Sequence, residues 1–393
     1  MLIFCVFVVF GILTLFTDAQ YTTTVLAGTG TQGYSGDNEP AVSAKVNIAT
    51  GAWVDTNGVT FFVDYSAYVV RQVNKAGIIS TIGGTGGLSI ATSGGDFTDI
   101  DLYNPWGLAG DSTHLYVSDS YHIWKYTRSN GLGSILAGTG TLGVSGNGGP
   151  AASSDVNRPE GLWLTTGNVL YIAEYGSNLV RKITLSNNII STVAGIGTAG
   201  LGGDGESPLS TNTKLSSPSG VYVDTNGVIY IADRSNSRVR YISNGIINTF
   251  AGGGTNSASG YLATNSILSN PFDVIGDTLG NIYIVESSSI RVVDYQTNIL
   301  TSYLSGITGP KGIWLDNVNT RTVIPMLAYV KTAPLYSNAV STVTPTQALP
   351  LLLPLLLSFL LNVQLPPHLY HRPGPHPPFP QISQPLHLLL FLI

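Results

Sequence analysis

Three kinds of residue in this chain have the types and spacing to do chemistry. The first is glycine: Gly28, Gly30 and Gly33 in AGTGTQG (27–33) satisfy the Gly-x-Gly-x-x-Gly spacing that cradles a pyrophosphate. The spacing recurs in GTGTLG (138–143) and GIGTAG (195–200), with weaker copies at 84–89 and 252–257. A dinucleotide site needs one such turn, placed between a strand and a helix. The residues that follow here are SGDNEPA, SGNGGPA and GGDGESP, and none carries a helical pattern. These glycines read as exits from a recurring strand, and no nucleotide or other cofactor is expected.

The second kind is a recurring acid. Asp64, Asp119, Glu174, Asp233 and Glu286 each end a strand-like run, and Arg71, Arg181, Arg240 and Arg291 follow shortly after four of them. Trp124 stands where the second unit would carry its arginine. A ring of carboxylates could hold a cation in a channel; the alternative is one turn-fixing hydrogen bond and one ion pair per repeat. Repetition favours the structural reading, because a catalytic pair should break the symmetry. Trp53, Trp163 and Trp314, with Tyr222 in the same slot, read as packing between repeats rather than as a ligand box.

The third kind is histidine and cysteine. Before residue 321 the histidines are His114 and His122, and the only cysteine, Cys5, lies in the N-terminal leader. Disulfides, a cysteine nucleophile and a thiolate metal site are not expected, and two separated histidines do not make a zinc site. No Gly-x-Ser-x-Gly elbow or histidine-centred triad can be assembled. No catalytic residue is assigned.

The elements that position these residues are repeats. GAWVDTNGVTFFVDYSAYVVRQV (51–73), GLWLTTGNVLYIAEYGSNLVRKI (161–183) and GVYVDTNGVIYIADRSNSRVRYI (220–242) align without gaps. Segments 107–126 and 273–293 are shorter copies, and GPKGIWLDNVNT (309–320) begins a sixth. Each unit reads as four short strands, a to d, with an Asp-Thr-Asn-Gly type turn between a and b. Charged residues are 10% of the chain against 46 glycines and 20 tyrosines, a composition of strands and tight turns. Four-stranded modules repeated around an axis make an all-β, six-bladed β-propeller of antiparallel blades. TTTVLAG (22–28) matches strand d of the other units, so the N-terminal strand is expected to close the last blade. Residues 321–340 match the expected strands b and c poorly.

The pattern resembles the NHL-repeat family over residues 22–316, through P-x-G-V-x-V-D-x-x-G-x-I-Y-I-A-D, R-V-R-x-I and I-S-T-V-A-G. The resemblance implies a propeller of the secreted, long-repeat type. Some enzymes resemble the family, notably peptidyl-glycine amidating lyases with zinc held by histidines, and this chain lacks such a set.

Residues 1–19 read as a secretory signal peptide, apolar to Phe16 with Thr17 and Ala19 before the cleavage point; an uncleaved anchor is the alternative. The propeller is expected over 20–330 and a Leu/Pro-rich low-complexity tail over 331–393. ALPLLLPLLLSFLLNV (348–363) reads either as a membrane anchor or, with the loss of every acidic residue, as a frame-shifted end. The net charge is −5 without a basic run, which argues against nucleic acid.

In a propeller the d-to-a connections and the b–c loops share a face. The long inserts after strand d would bring Tyr34, Asp37, Asn147 and Asp204 there. The b–c loops would add Tyr65, Tyr68, Tyr121, His122, Tyr175, Asn178, Arg234 and Asn236. Tyrosines stack on sugars and peptides with little entropy loss. The expected function is non-enzymatic binding of a protein, peptide or glycan by a monomeric extracellular propeller. The alternative is a metal-dependent lyase or hydrolase at the channel.

Overall fold

The computed structural model describes residues 21–91, 93–316 and 320–336. Six antiparallel sheets run in the order a-b-c-d from the axis outward. Blade 1 is Ala49–Val54, Thr60–Asp64, Val69–Val73 and Ile79–Gly83. Blades 2 to 5 begin with inner strands Leu108–Gly110, Pro159–Leu164, Pro218–Val223 and Asp273–Gly276. Blade 6 takes Trp314–Asp316, Arg321–Pro325 and Val330–Pro334 from the far end of the ring. Its outer strand is Thr24–Ala27, antiparallel to Val330–Pro334, so the N-terminal strand clasps the ring as expected. The poorly matched stretch thus supplies two strands, and the propeller's described residues run past the expected boundary at 330 to Tyr336.

Local chemistry explains the hairpins. Asp55 accepts hydrogen bonds from the Asn57 and Val59 amides, and Asp224 does the same for Asn226 and Val228. Each turn then closes on a glycine at positive φ, Gly58 and Gly227. A glycine column opens strand a: a Cβ on Gly51 would lie 2.6 Å from the Leu108 nitrogen, and one on Gly161 2.6 Å from the Ser219 carbonyl oxygen. Neighbouring inner strands approach this closely because the side chain is missing.

The inserts are built structures. Each drives apolar anchors into the crevice ahead of its blade: Ala41, Ala44 and Val46 in one, Phe97, Ile100 and Leu102 in the next, all nearly fully buried. Ala151, Ser154 and Val156, then Ala263, Ser266 and Leu268, repeat the spacing. In blade 4 Ser210, Thr213 and Leu215 hold the same places. Four of these inserts turn through a short 3-10 helix on the first anchor.

The recurring acids and arginines fasten these inserts. The Asp64, Asp233 and Glu286 carboxylates accept the amides of Asn47, Ser216 and Ser269, where each insert meets strand a. Arg71 donates to the Lys45 and Ser35 carbonyls, and Arg181 to those of Asp155 and Ser145. Arg240 reaches the Gly202 carbonyl, and Arg291 those of Ile267 and Ala258. In blade 2 the Trp124 indole N–H donates to Asp119 at 2.8 Å in place of the guanidinium. The acids sit buried within their own blades, and none of the five lines the channel cavity. Among the described residues no helix is long and apolar enough to cross a membrane. The leader and the tail beyond Tyr336 lie outside them.

Candidate functional site

The central channel is lined by the six inner strands. At the level of the glycine column five blades carry Gly51, Gly107, Gly161, Gly220 and Gly312, and blade 5 alone carries Asp273. The residues one position earlier form the mouth on the insert-bearing face: Thr50, Trp106, Glu160, Ser219, Phe272 and Lys311. The channel cavity is about 40 Å³. That holds a few waters, well short of the ~300–1,000 Å³ of ordinary ligand pockets.

Farther along the channel, aromatic side chains fill the bore. Trp163 of blade 3 meets Trp314 of the opposite blade 6 with ring centroids 5.5 Å apart. Tyr222 packs edge-on to Trp163 at 4.7 Å, and Trp53 lies 6.5 Å from Trp314. The strand-a aromatics therefore pack across the axis, which goes beyond the neighbour-to-neighbour packing expected of them.

The mouth is charged on one side. The two Glu160 carboxylate oxygens lie 3.9 Å from Arg158 and 3.7 Å from Arg234, beyond hydrogen-bond range. Its Oε2 is buried without a hydrogen-bond partner. Burial pushes the Glu160 carboxyl up to about 7, against the opposing pull of Arg234, Arg158 and Lys311. Confinement in the channel likewise pushes Asp273 up to about 7, although it accepts the Ile313 and Val274 amides. Burial, and then Arg234, lower the Lys311 ammonium. Arg234 stacks over Phe272 at 3.9 Å, with the Lys311 ammonium 4.3 Å from the same ring. Arg158 and Arg234 both lie over Tyr175. On the other side Tyr65 packs edge-on to Trp106 at 5.2 Å.

Of the residues expected on the binding face, Tyr65, Tyr175 and Arg234 converge on this mouth. Tyr121 lies apart, against Tyr103 at 5.3 Å. Tyr34 bonds Thr81, and Asp37 pairs with Arg71 at 2.7 Å. Asn147 binds Thr192, while Asp204 takes both Arg240 and Thr249. Those four side chains fasten inserts at the periphery. Tyr68 and Asn178 close b–c loops at positive φ, and Asn178 also accepts the Ser217 amide. Asn236 donates to Gly200 and Asp233. His122 must be corrected as a surface residue: it is 1% exposed and packs on Trp124, because its loop folds back over Asp119. The sequence reading missed Glu160, Asp273 and Lys311. The signal was available, since Asp273 breaks the glycine column. Among the described residues no three His, Cys, Asp or Glu side chains group to hold a metal.

Comparison with known proteins places the repeat. The NHL repeat profile matches residues 215–240, which cover strands a and b of blade 4 and the start of strand c. The chain carries an NHL repeat within its six-bladed propeller. Mouse Teneurin-1 is 28% identical to it over 252 residues, covering 56% of this chain and 9% of the teneurin. The NHL propeller thus spans under a tenth of the length of that relative. A solved protein of unknown function from Bacteroides thetaiotaomicron superposes with a TM-score of 0.57 at 14% identity, covering 79% of this chain and 75% of its own. A gluconolactonase from Xanthomonas campestris gives 0.52 at 11%, covering 74% and 87%. These two likenesses establish the fold.

Proposed function

We propose that this NHL propeller is an extracellular binding module, secreted or displayed at the cell surface. It holds a protein, peptide or glycan ligand on the insert-bearing face, centred on the channel mouth. The observation that carries the reading is the mouth itself: stacked arginine, lysine and aromatic side chains around an under-bonded buried carboxylate, above a cavity too small to engulf a metabolite. Such a mouth recognises a group presented on a larger partner, with aromatic and arginine anchors supplying most of the affinity. The similarity to Teneurin-1 supports an interaction role and a cell-surface context. The test is capture from an extracellular proteome and a glycan array by the triple variant Tyr65→Ala, Tyr175→Ala, Arg234→Ala. Loss of capture with an unchanged thermal midpoint is expected; capture equal to wild type overturns the reading.

A second reading has one observation in its favour. Glu160, held near 7 beside Arg158 and Arg234, is suited to general acid–base work at neutral pH. Propellers such as the Xanthomonas gluconolactonase make a lyase or hydrolase activity worth screening. Turnover abolished by Glu160→Gln would establish it, and turnover that survives the substitution would remove it.

A further inference from the structure

Among the described residues, blade 6 lacks what the other five blades have. The connection from blade 5 to blade 6 runs from Gly306 to Ile313, too short to carry the anchored insert. In blades 2 and 5 the insert adds a short fifth strand to the blade's outer edge, Gly95–Asp96 and Tyr261–Leu262. In blades 1, 3 and 4 it makes a bridge, at Pro40, Pro150 and Glu206. The described residues place nothing comparable along Thr24–Ala27, and Val25 there is 41% exposed. The crevice beside it, which the anchors fill at the other junctions, is an open cavity of about 300 Å³. Tyr21, Leu304, Ile307, Met326 and Tyr329 line it, together with Lys331.

The rest of the fastening follows the insert. The register pairs Ile324 with Lys331 as it pairs Phe62 with Arg71 and Ile172 with Arg181, so Lys331 holds the cation slot. Its ammonium lies 5.0 Å from the Tyr329 ring and borders the cavity. The acid that elsewhere receives the end of the insert is here Met326, as the same register requires. Among the described residues, blade 6 thus keeps a cation that can bind backbone carbonyls and an apolar crevice, without the segment they serve elsewhere.

We propose that this crevice and the Thr24–Ala27 edge are the acceptor for an extended segment of a partner polypeptide. The segment carries the anchor spacing of the inserts: a small or aromatic residue, a small or branched one three positions on, and Val or Leu two further. It lies along blade 6 as the inserts lie along the other blades, with edge hydrogen bonds giving affinity and the anchors giving specificity. Its carbonyl groups take the Lys331 ammonium. This site lies between blades at the rim and is separate from the channel mouth.

The probe is a fluorescent peptide of residues 34–47, YSGDNEPAVSAKVN, which contains one complete set of anchors and arginine-bound carbonyls. It is titrated into the full chain and read by anisotropy. Saturable binding is expected, weakened roughly tenfold or more by Lys331→Gln and by Val→Asp at the last anchor of the peptide. The peptide variant leaves the protein's folding untouched, so it decides the matter if Lys331→Gln is unstable. Absence of saturable binding, binding indifferent to the peptide's anchor, or a dimer paired through this edge overturns the proposal. The mouth variant that tests the binding face should bind this peptide normally, which keeps the two readings distinguishable.

Discussion

At the scale of single residues, the mouth and the channel below it hold two acids in a state that water would not allow. Glu160 and Asp273 titrate near 7 in the folded chain, because burial disfavours their charged forms, whereas in an unfolded chain they titrate near about 4. Between those values the folded state binds more protons than the unfolded one. Their stabilising contribution is therefore complete below about pH 4 and is lost as pH rises through about 7. Burial raises Asp64 to about 7 and Asp233 to about 6, which adds to the same slope. We expect the thermal midpoint to fall from pH 5 to pH 8. Glu160→Gln should flatten that fall and gain on the order of 3 kcal/mol at the alkaline end. Parallel melting curves for the two proteins would refute the assignment. Backbone strain offers a second residue-scale test. Ile48 sits at φ 66°, where a β-branched side chain is crowded, while Asn104 and Asn270 hold the corresponding places in blades 2 and 5. Ile48→Asn should raise stability by about 1 kcal/mol, measured by urea denaturation, and a loss instead would show that Ile48 packing outweighs its strain.

At the scale of elements, the informative unit is the insert with its blade. Strands a to d were legible because hydrophobic alternation, the Asp-x-x-Gly turns and the strand-ending acids repeat in register. The inserts were legible as loops on one face, but their anchors were not, since Ala41, Ala151 and Ala263 carry no periodicity that separates them from solvated loop. The mouth was missed for a related reason: Glu160 and Lys311 stand one residue before the glycine column, at a position that differs in every blade, so no column marks it. The arginine that joins insert to blade is where this level can be tested. Arg181 is buried, 3.1 Å from Glu174, and it also donates to two carbonyls of its insert. Arg181→Met removes the partner of a buried carboxylate and should cost roughly 3–5 kcal/mol. Adding Glu174→Gln should recover part of that loss, because the stranded charge goes with it. Limited proteolysis should cut the single variant first within 139–157. Cleavage elsewhere, or strictly additive losses, would mean that the pair does not hold the insert.

At the scale of the whole molecule, one hydrogen-bonded strand pair joins the two ends of the described chain and leaves both proposed binding regions on a closed ring. Thr24 and Thr332 are direct antiparallel partners, their hydroxyl oxygens 2.7 Å apart across a separation of 308 residues. Without that pair blade 6 loses its outer strand, and blades 1 and 6 keep the Ala41, Ala44 and Val46 anchors and the Ile48 and Ala49 amide bonds to Leu327 and Met326. A covalent clasp tests the closure directly. Direct cross-strand partners bring their Cβ atoms within the range a disulfide can bridge. The only native cysteine is Cys5, so Thr24→Cys with Thr332→Cys has no competing partner in a protein expressed from Gln20 onward. A loop of this length puts the chain-entropy limit of stabilisation at about 6 kcal/mol, less any strain in the native pair. The oxidised protein should therefore melt several degrees higher than its reduced form, with the difference abolished by reductant. If the disulfide forms only after denaturation, or forms without raising the midpoint, the ends do not meet as drawn. In that case the edge that the clasp presents to the crevice beside blade 6 has to be redrawn with it.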